Sequence, residues 1–211
     1  MHASYRASTM TRARTDARSP EAEEITDREW LVRHCRGDAR AFAELVARYR
    51  RPVYGYLVRC GVEESARDDL FQDIFAAIHR AAATFRPERP VKPWVFAIVA
   101  NTVRSHYRKT RGHAITAEPP ELARDAAAPD SHELVEAHET AAWLERAIAA
   151  LPVAQREVVV LCCIEQLPQE EVADVLGAPV NTVKTHLRRA RIALAQALAR
   201  RRAALRREVS T

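Results

Sequence analysis

Apolar positions follow a helical rhythm in two stretches of the chain, separated by one where the rhythm is lost. In the first, Phe42, Leu45, Val46 and Tyr49 recur at intervals of three and four behind Trp30 and Leu31. From Asp68 to Ile78, a step of about 100° per residue gathers Leu70, Phe71, Ile74, Phe75 and Ile78 on one side, with Asp69, Gln72 and Asp73 opposite. Three prolines, Pro87, Pro90 and Pro93, then stiffen a loop that carries Arg86, Arg89 and Lys92. A further helix is expected to begin near Trp94, with Val95, Phe96, Val99 and Val103 inward and Trp94, Asn101, Arg104, Ser105 and Arg108 toward the other side. Past residue 110 the periodicity stops, and Pro119, Pro120 and Pro129 stand among alanines and acids, which reads as a linker. Helical spacing resumes after it, with Pro152 and Pro168 each placed near a helix start. No alternating run is long enough to argue for a strand.

The pattern predicts an all-α chain: two small helical domains joined by a flexible acidic linker, the C-terminal one containing a helix-turn-helix. The expected divisions are a disordered N-terminal tail at 1–26, a first domain at 27–110, the acidic linker at 111–137, a second domain at 138–200 and a basic tail at 201–211. The helix-turn-helix is read from Gln169 to Leu187. Val172, Val175 and Leu176 form the stripe of a short helix, and Ala173 is small where a second helix must approach. Gly177 is expected at the turn, where a residue free to take positive φ is suited. Pro179 ends any continuation of the first helix, Asn181 or Thr182 can cap the next, and Val183 and Leu187 mark its buried side.

Charge sharpens this picture more by its distribution than by its sum. The net charge is +5 and the pI about 9.3. Between Lys184 and Arg207 nine Lys or Arg residues occur without an acid, whereas Gly112 to Thr140 holds seven acids and one Arg. A basic C-terminal end suits a polyanion. The four cysteines form no CxxC pair, and they read as buried thiols of a reducing compartment. No apolar run approaches the ~20 residues of a membrane span, and the Arg-bearing N-terminus lacks the apolar core of a secretory signal. The expected location is cytoplasmic, without membrane insertion. His132-Glu133-Leu134-Val135-Glu136 comes near the zinc-protease pattern HExxH but ends in Glu. With no phosphate-binding glycine loop and no nucleophile elbow, an enzyme, a metal and a cofactor are not expected.

Two surfaces invite nucleic acid. On the second helix of the helix-turn-helix, Lys184, Thr185, Arg188 and Arg189 follow the cap, where Lys or Arg can pair with guanine O6 and N7. On the helix after the proline loop, an indole can stack on an unpaired base and Asn101 can bond a base edge. The plain alternative is that the cations are solvated, that Trp94 is core, and that the Asp69–Asp73 ridge is an ordinary polar face.

Several motifs occur together in order. DDLFQDIF (residues 68–75) resembles the D-L-V-Q-E-V-F signature of bacterial RNA polymerase sigma factors. PWVFAIVANTVRSHYRK (93–109) is similar to the W-L-x-x-I-A-x-N stretch that follows it, and residues 151–191 resemble sigma region 4 throughout. A linker in place of a further domain resembles the extracytoplasmic function group. The resemblance implies a sigma factor that binds core RNA polymerase and directs promoter-specific initiation. Region 2, at 27–110, would dock on the β′ clamp helices through Asp69, Gln72 and Asp73. It would engage the minus-ten element through Arg86, Arg89, Lys92, Trp94, Asn101, Arg104 and Arg108, aiding opening by capture of a flipped base. Region 4, at 138–200, would read the minus-thirty-five element through Asn181, Thr182, Lys184, Thr185, His186, Arg188 and Arg189. The implied partners are core polymerase, including its β subunit, promoter DNA and an anti-sigma factor. Phe71 stands where Val is frequent, and Thr185-His186 where Ser-Arg is common, so a known minus-thirty-five sequence does not transfer. TVKTHL also resembles the output domain of LuxR-type regulators. A LuxR-like DNA-binding regulator, which needs no polymerase-docking helix, is the alternative.

Overall fold

A computed structural model describes residues 20–110 and 132–208 of the chain. They form eight α-helices, with no strand among the described residues. Helix α1 spans Pro20–Cys35, α2 Ala39–Arg59, α3 Glu64–Ala81 and α4 Val91–Thr110. After the gap come α5 (His132–Ala149), α6 (Val153–Val159), α7 (Gln169–Leu176) and α8 (Val180–Glu208). A 3-10 turn, Ala82–Thr84, follows α3, and a π-helical turn, Val160–Ile164, continues α6.

The first unit closes around the stripes that the spacing predicts. Leu45, Tyr49 and Val53 of α2, Leu70, Ile74 and Ile78 of α3, and Val95, Phe96, Val99 and Val103 of α4 are all buried. Truncating a buried Phe such as Phe96 to Ala removes about 3–5 kcal/mol. Polar pins set the helix ends. The Asp38 carboxylate accepts from the backbone N–H groups of Arg40 and Ala41 at the start of α2, while the Arg33 guanidinium donates to its other oxygen at 2.8 Å and 3.0 Å. The Tyr49 hydroxyl donates to buried Asp27 at 2.6 Å, and Arg48 pairs with the same carboxylate at 2.7 Å. Helix α4 starts at Val91, ahead of the expected Trp94. Pro93 is tolerated because first-turn N–H groups have no acceptor within the helix.

In the second unit Val158, Val160, Leu161, Val172, Val175, Val183, Leu187 and Ala190 are buried together. Helix α7 stops at Gly177, whose φ of 61° is the left-handed conformation expected for that turn, and the Ala178 N–H returns to the Ala173 carbonyl at 3.0 Å. Pro179 sits immediately before α8. Its carbonyl receives the N–H groups of Thr182 (2.9 Å) and Val183 (3.2 Å), so Asn181 and Thr182 lie inside the first turn and neither is the cap.

Three helices run past the expected divisions. Helix α1 already occupies 20–26, part of the segment read as a tail; proline suits a first turn and the alanine and glutamates after it are tolerated in a helix. Helix α5 occupies 132–137, the end of the expected linker, where HELVEA is a run dominated by helix formers. Helix α8 continues through 201–208, because Ala, Leu and Arg carry its propensity past the core and the Arg201 guanidinium lies 5.1 Å from the Trp143 ring. The rest of the expected tails and the linker up to residue 131 lie outside the described residues.

The pattern did not indicate that the two units touch. Helix α4 packs along α7 and α2 meets α5. Tyr56, fully buried, donates its hydroxyl to Glu157 of the second unit at 3.2 Å. Arg59 donates through two nitrogens to Glu145 at 2.6 Å and 3.0 Å. Gly61, with φ of 82°, lies under the Arg156 guanidinium, which would stand 2.7 Å from any added Cβ.

Candidate nucleic-acid interface

The helix-turn-helix holds its second helix by Val183, Leu187 and Ala190, which are spaced by four and three and buried against α6 and α7. That packing turns the intervening residues outward. Asn181, Thr182, Lys184, Thr185, Arg188 and Arg189 are exposed. Thr185 bonds back to the Asn181 carbonyl at 2.8 Å, which fixes its rotamer on the helix surface. His186 is half-buried, with Nδ1 enclosed and without a hydrogen-bond partner. Beside these residues a shallow hollow of about 380 Å³ is lined by Gln169, Lys184, Leu187, Arg188, Arg191, Ile192 and Ala195. Its apolar floor and cationic rim can receive a base edge or thymine methyl flanked by phosphates. Gln169, Ile192 and Ala195 were not anticipated as site residues. Their signal was available, since positions 188, 191, 192 and 195 share one face at helical spacing.

The α4 surface divides in a way the helical wheel did not foresee. Asn101 and Arg108 are exposed, and Arg108 donates to the Ser105 hydroxyl at 2.8 Å. Trp94 is half-buried and meets Phe85 edge-on at 5.1 Å, so part of the indole is core and part remains available for stacking. Arg86 and Arg89 are exposed in the proline loop. Lys92 and Arg104 instead point at the second unit. Lys92 donates to the Glu165 carbonyl at 2.6 Å and pairs with the Glu165 carboxylate at 3.3 Å. Arg104 reaches Glu157 at 3.3 Å and the Leu176 carbonyl at 3.1 Å. Trp94, Asn101 and Arg108 thus share one side of α4 at seven-residue spacing, whereas Lys92 and Arg104 are engaged by the second unit.

On α3 the acidic ridge is formed as spaced: Asp69, Gln72 and Asp73 are exposed while Leu70, Ile74 and Phe75 are buried beneath them. Tyr54, 38% exposed, stands edge-on at 6.4 Å to Phe71, on the side of α3 away from the acids, an aromatic contact that the sequence pattern did not single out.

The cysteines depart from expectation. Cys60 is buried and Cys162 half-buried, but Cys35 and Cys163 are exposed, because each falls on the outer side of its helix end. Burial, reinforced by the Glu157 charge, pushes the Cys60 thiol up to about 12, and burial pushes Cys162 up to about 11. Neither is a thiolate at neutral pH, which removes both as nucleophiles. Among the described residues no group of three or more His, Cys, Asp or Glu side chains is placed to hold a metal, and no helix is long and apolar enough to cross a membrane.

Residues 45–113 match Sigma-70 region 2, and residues 141–194 match Sigma-70, region 4. The RNA polymerase sigma-H factor of Pseudomonas aeruginosa is 31% identical over 182 residues, covering 82% of this chain and 93% of that protein. The ECF RNA polymerase sigma factor SigM of Mycobacterium tuberculosis is 31% identical over 175 residues, covering 83% and 86%. Among solved structures, CnrH in complex with the cytosolic domain of CnrY superposes with a TM-score of 0.61 at 30% identity, covering 82% of this chain and 97% of that one.

Proposed function

The chain belongs to the sigma-70 family of RNA polymerase sigma factors, in its extracytoplasmic function group, and directs promoter-specific transcription initiation; from that premise we propose how its surfaces divide the work. The observation that carries the reading is the recognition helix of α8, held by a buried stripe and exposing Lys184, Thr185, Arg188 and Arg189 to solvent. These residues, with Asn181, Thr182 and His186, read the minus-thirty-five element. Region 2, at 27–110, presents Trp94, Asn101, Arg104 and Arg108 with Arg86, Arg89 and Lys92 to the minus-ten element, and region 4 occupies 138–200. The Asp69, Gln72 and Asp73 ridge docks on the β′ clamp helices. Phosphate contacts supply salt-dependent affinity, and a few base contacts supply selection. Tethering both regions to one polymerase raises their effective concentration at the promoter. The chain carries no chemistry of its own, works in the cytoplasm, and is restrained by an anti-sigma factor. Support for that restraint is the similar protein CnrH, which was captured with the cytosolic domain of CnrY.

The test is transcription from fragmented genomic DNA by core polymerase plus the purified chain, with RNA starts mapped. Discrete starts sharing a pair of upstream elements are expected with the unaltered chain and none with Asp69→Ala/Gln72→Ala. Normal core-polymerase affinity in that folded double variant would overturn the docking assignment.

A further inference from the structure

Among the described residues, the large apolar side chains that solvent reaches are Tyr54, Leu144, Val153, Ile192 and Leu205. Ile192 alone of these lines the hollow beside Lys184 and Arg188. It is 47% exposed, lies one turn beyond Arg188 and adjoins Arg191, and both arginines are exposed. The core does not need it. The buried stripe of α8 runs through Val183, Leu187 and Ala190, and Ile192 lies about 200° round the helix from Ala190. Local preference does not ask for it either, since a β-branched residue is a poorer helix former than the alanines around it. Neither folding nor helix propensity therefore accounts for an isoleucine here, whereas a contact made only in a complex does. The hollow states what that contact must be. Ile192, Ala195 and buried Leu187 give it an apolar floor, Lys184, Arg188 and Arg191 a cationic rim, and Gln169 closes it from α7. Its occupant presents an apolar group flanked by anions or acceptors.

We propose that Ile192 is a specificity-determining residue of the minus-thirty-five interface, receiving the C5 methyl group of a thymine. This rests on the assignment of the exposed α8 face to that element made above. In the major groove the thymine methyl is the apolar group that a base edge offers, and phosphates flank it on both strands. Arg188 and Arg191 do not supply this selection, because a guanidinium bonds acceptors on guanine or phosphate and gains nothing from a methyl group. The helix also places the contact. From Arg188 to Ile192 the rise is about 6 Å at ~1.5 Å per residue, and base pairs stack at ~3.4 Å. The thymine therefore lies within about two base pairs of the base that Arg188 contacts.

The experiment uses the full chain bound to core polymerase and promoter fragments carrying the mapped minus-thirty-five element. Each thymine of the element, on either strand, is replaced in turn by deoxyuridine, which pairs alike and lacks only the C5 methyl group. At one position the unaltered chain should lose about fourfold in affinity, the worth of one buried methyl group. Ile192→Ala should lose a similar factor on the thymine promoter and bind the two forms equally at that position. Ile192→Val, which keeps a branched apolar end, should retain most of the preference. A methyl preference that survives intact in Ile192→Ala overturns the proposal, as does an element in which no thymine is methyl-sensitive. Arg188→Ala, measured beside these, separates the two levels of the argument. If it relaxes selection while Ile192→Ala changes nothing, α8 reads the element and the role of Ile192 alone falls. If neither variant alters promoter affinity, the placement of α8 on this element falls with it.

Discussion

Helices α4 and α8 are both basic helices with a buried apolar stripe, yet they spend their cations differently. On α8 Lys184, Arg188 and Arg189 stand in solvent. On α4 Arg108 is exposed, but Arg104, one turn earlier, is drawn under α7 to a carboxylate 53 residues away along the chain. The difference teaches that helical spacing fixes the direction of a side chain but not its partner. Arg104 lies between the core side and the open side of α4, so a second packed unit decides which it serves. On α8 the stripe of Val183, Leu187 and Ala190 consumes the available contacts and leaves the opposite cations to an external anion.

The largest effects should come from exchanging these two arginines for alanine in turn. Arg188→Ala should cost about 1–3 kcal/mol on duplex carrying the minus-thirty-five element and relax selection at one base pair. That loss should be the same in the free chain and in the polymerase complex. Arg104→Ala should cost the free chain much less DNA affinity, because Glu157 already occupies that guanidinium, and should show its full cost only when polymerase holds the regions apart. Titrating a promoter fragment against both forms of both variants checks this. Equal losses for the two arginines in the free chain would break the comparison.

Much of this was legible in the residues themselves. The stripes of α3 and α4, the exposure of Asp69, Gln72 and Asp73, and the left-handed turn at Gly177 follow from local spacing and backbone sterics, which one segment carries alone. What could not be read depends on distant packing. The Glu157 and Glu165 carboxylates look like ordinary surface acids in sequence, and their partners Tyr56, Arg104 and Lys92 come from the distant helices α2 and α4. Helices α1, α5 and α8 all extend into segments read as tails or linker, since helix propensity continues where the apolar stripe that marks a domain has ended.

A smaller effect separates backbone strain from contact between the units. Gly177 and Gly61 both have left-handed φ, 61° and 82°, one in each unit. At Gly177 an added Cβ meets nothing within 4 Å, so Gly177→Ala should cost only the strain of about 1–2 kcal/mol. At Gly61 the same Cβ would stand 2.7 Å from Arg156 Nη1. The guanidinium must move, giving up its 2.9 Å bond to the Leu151 carbonyl, which adds about 0.5–1.5 kcal/mol. Urea unfolding should rank Gly61→Ala below Gly177→Ala in midpoint. If the two midpoints fall equally, the Arg156 guanidinium swings aside from Gly61 without cost.

The smallest effect is confined to the first unit and is read through acid. Arg33 donates two hydrogen bonds to Asp38, and with the α2 N-terminal N–H groups it holds that carboxyl below its ordinary value of 3.8. A depressed carboxyl binds its proton less readily folded than unfolded. Its stabilising contribution is therefore fully present above the ordinary value and fades as pH falls through the lower folded one. The pair is exposed, so the gain is modest and salt-dependent. Asp38→Asn retains a capping oxygen but loses the charge. Its melting temperature should lie below that of the unaltered chain at neutral pH, and the gap should close as the pH is lowered past 3.8. Trp30 and Trp94 report the first unit and Trp143 the second. With single-tryptophan versions the shift should follow the first two, because Asp38 caps the start of α2 in the first unit, whereas Trp143 lies on α5 of the second. An equal shift at Trp143 would show the two units melting as one body, with the contacts at Glu157 and Glu165 strong enough to couple them.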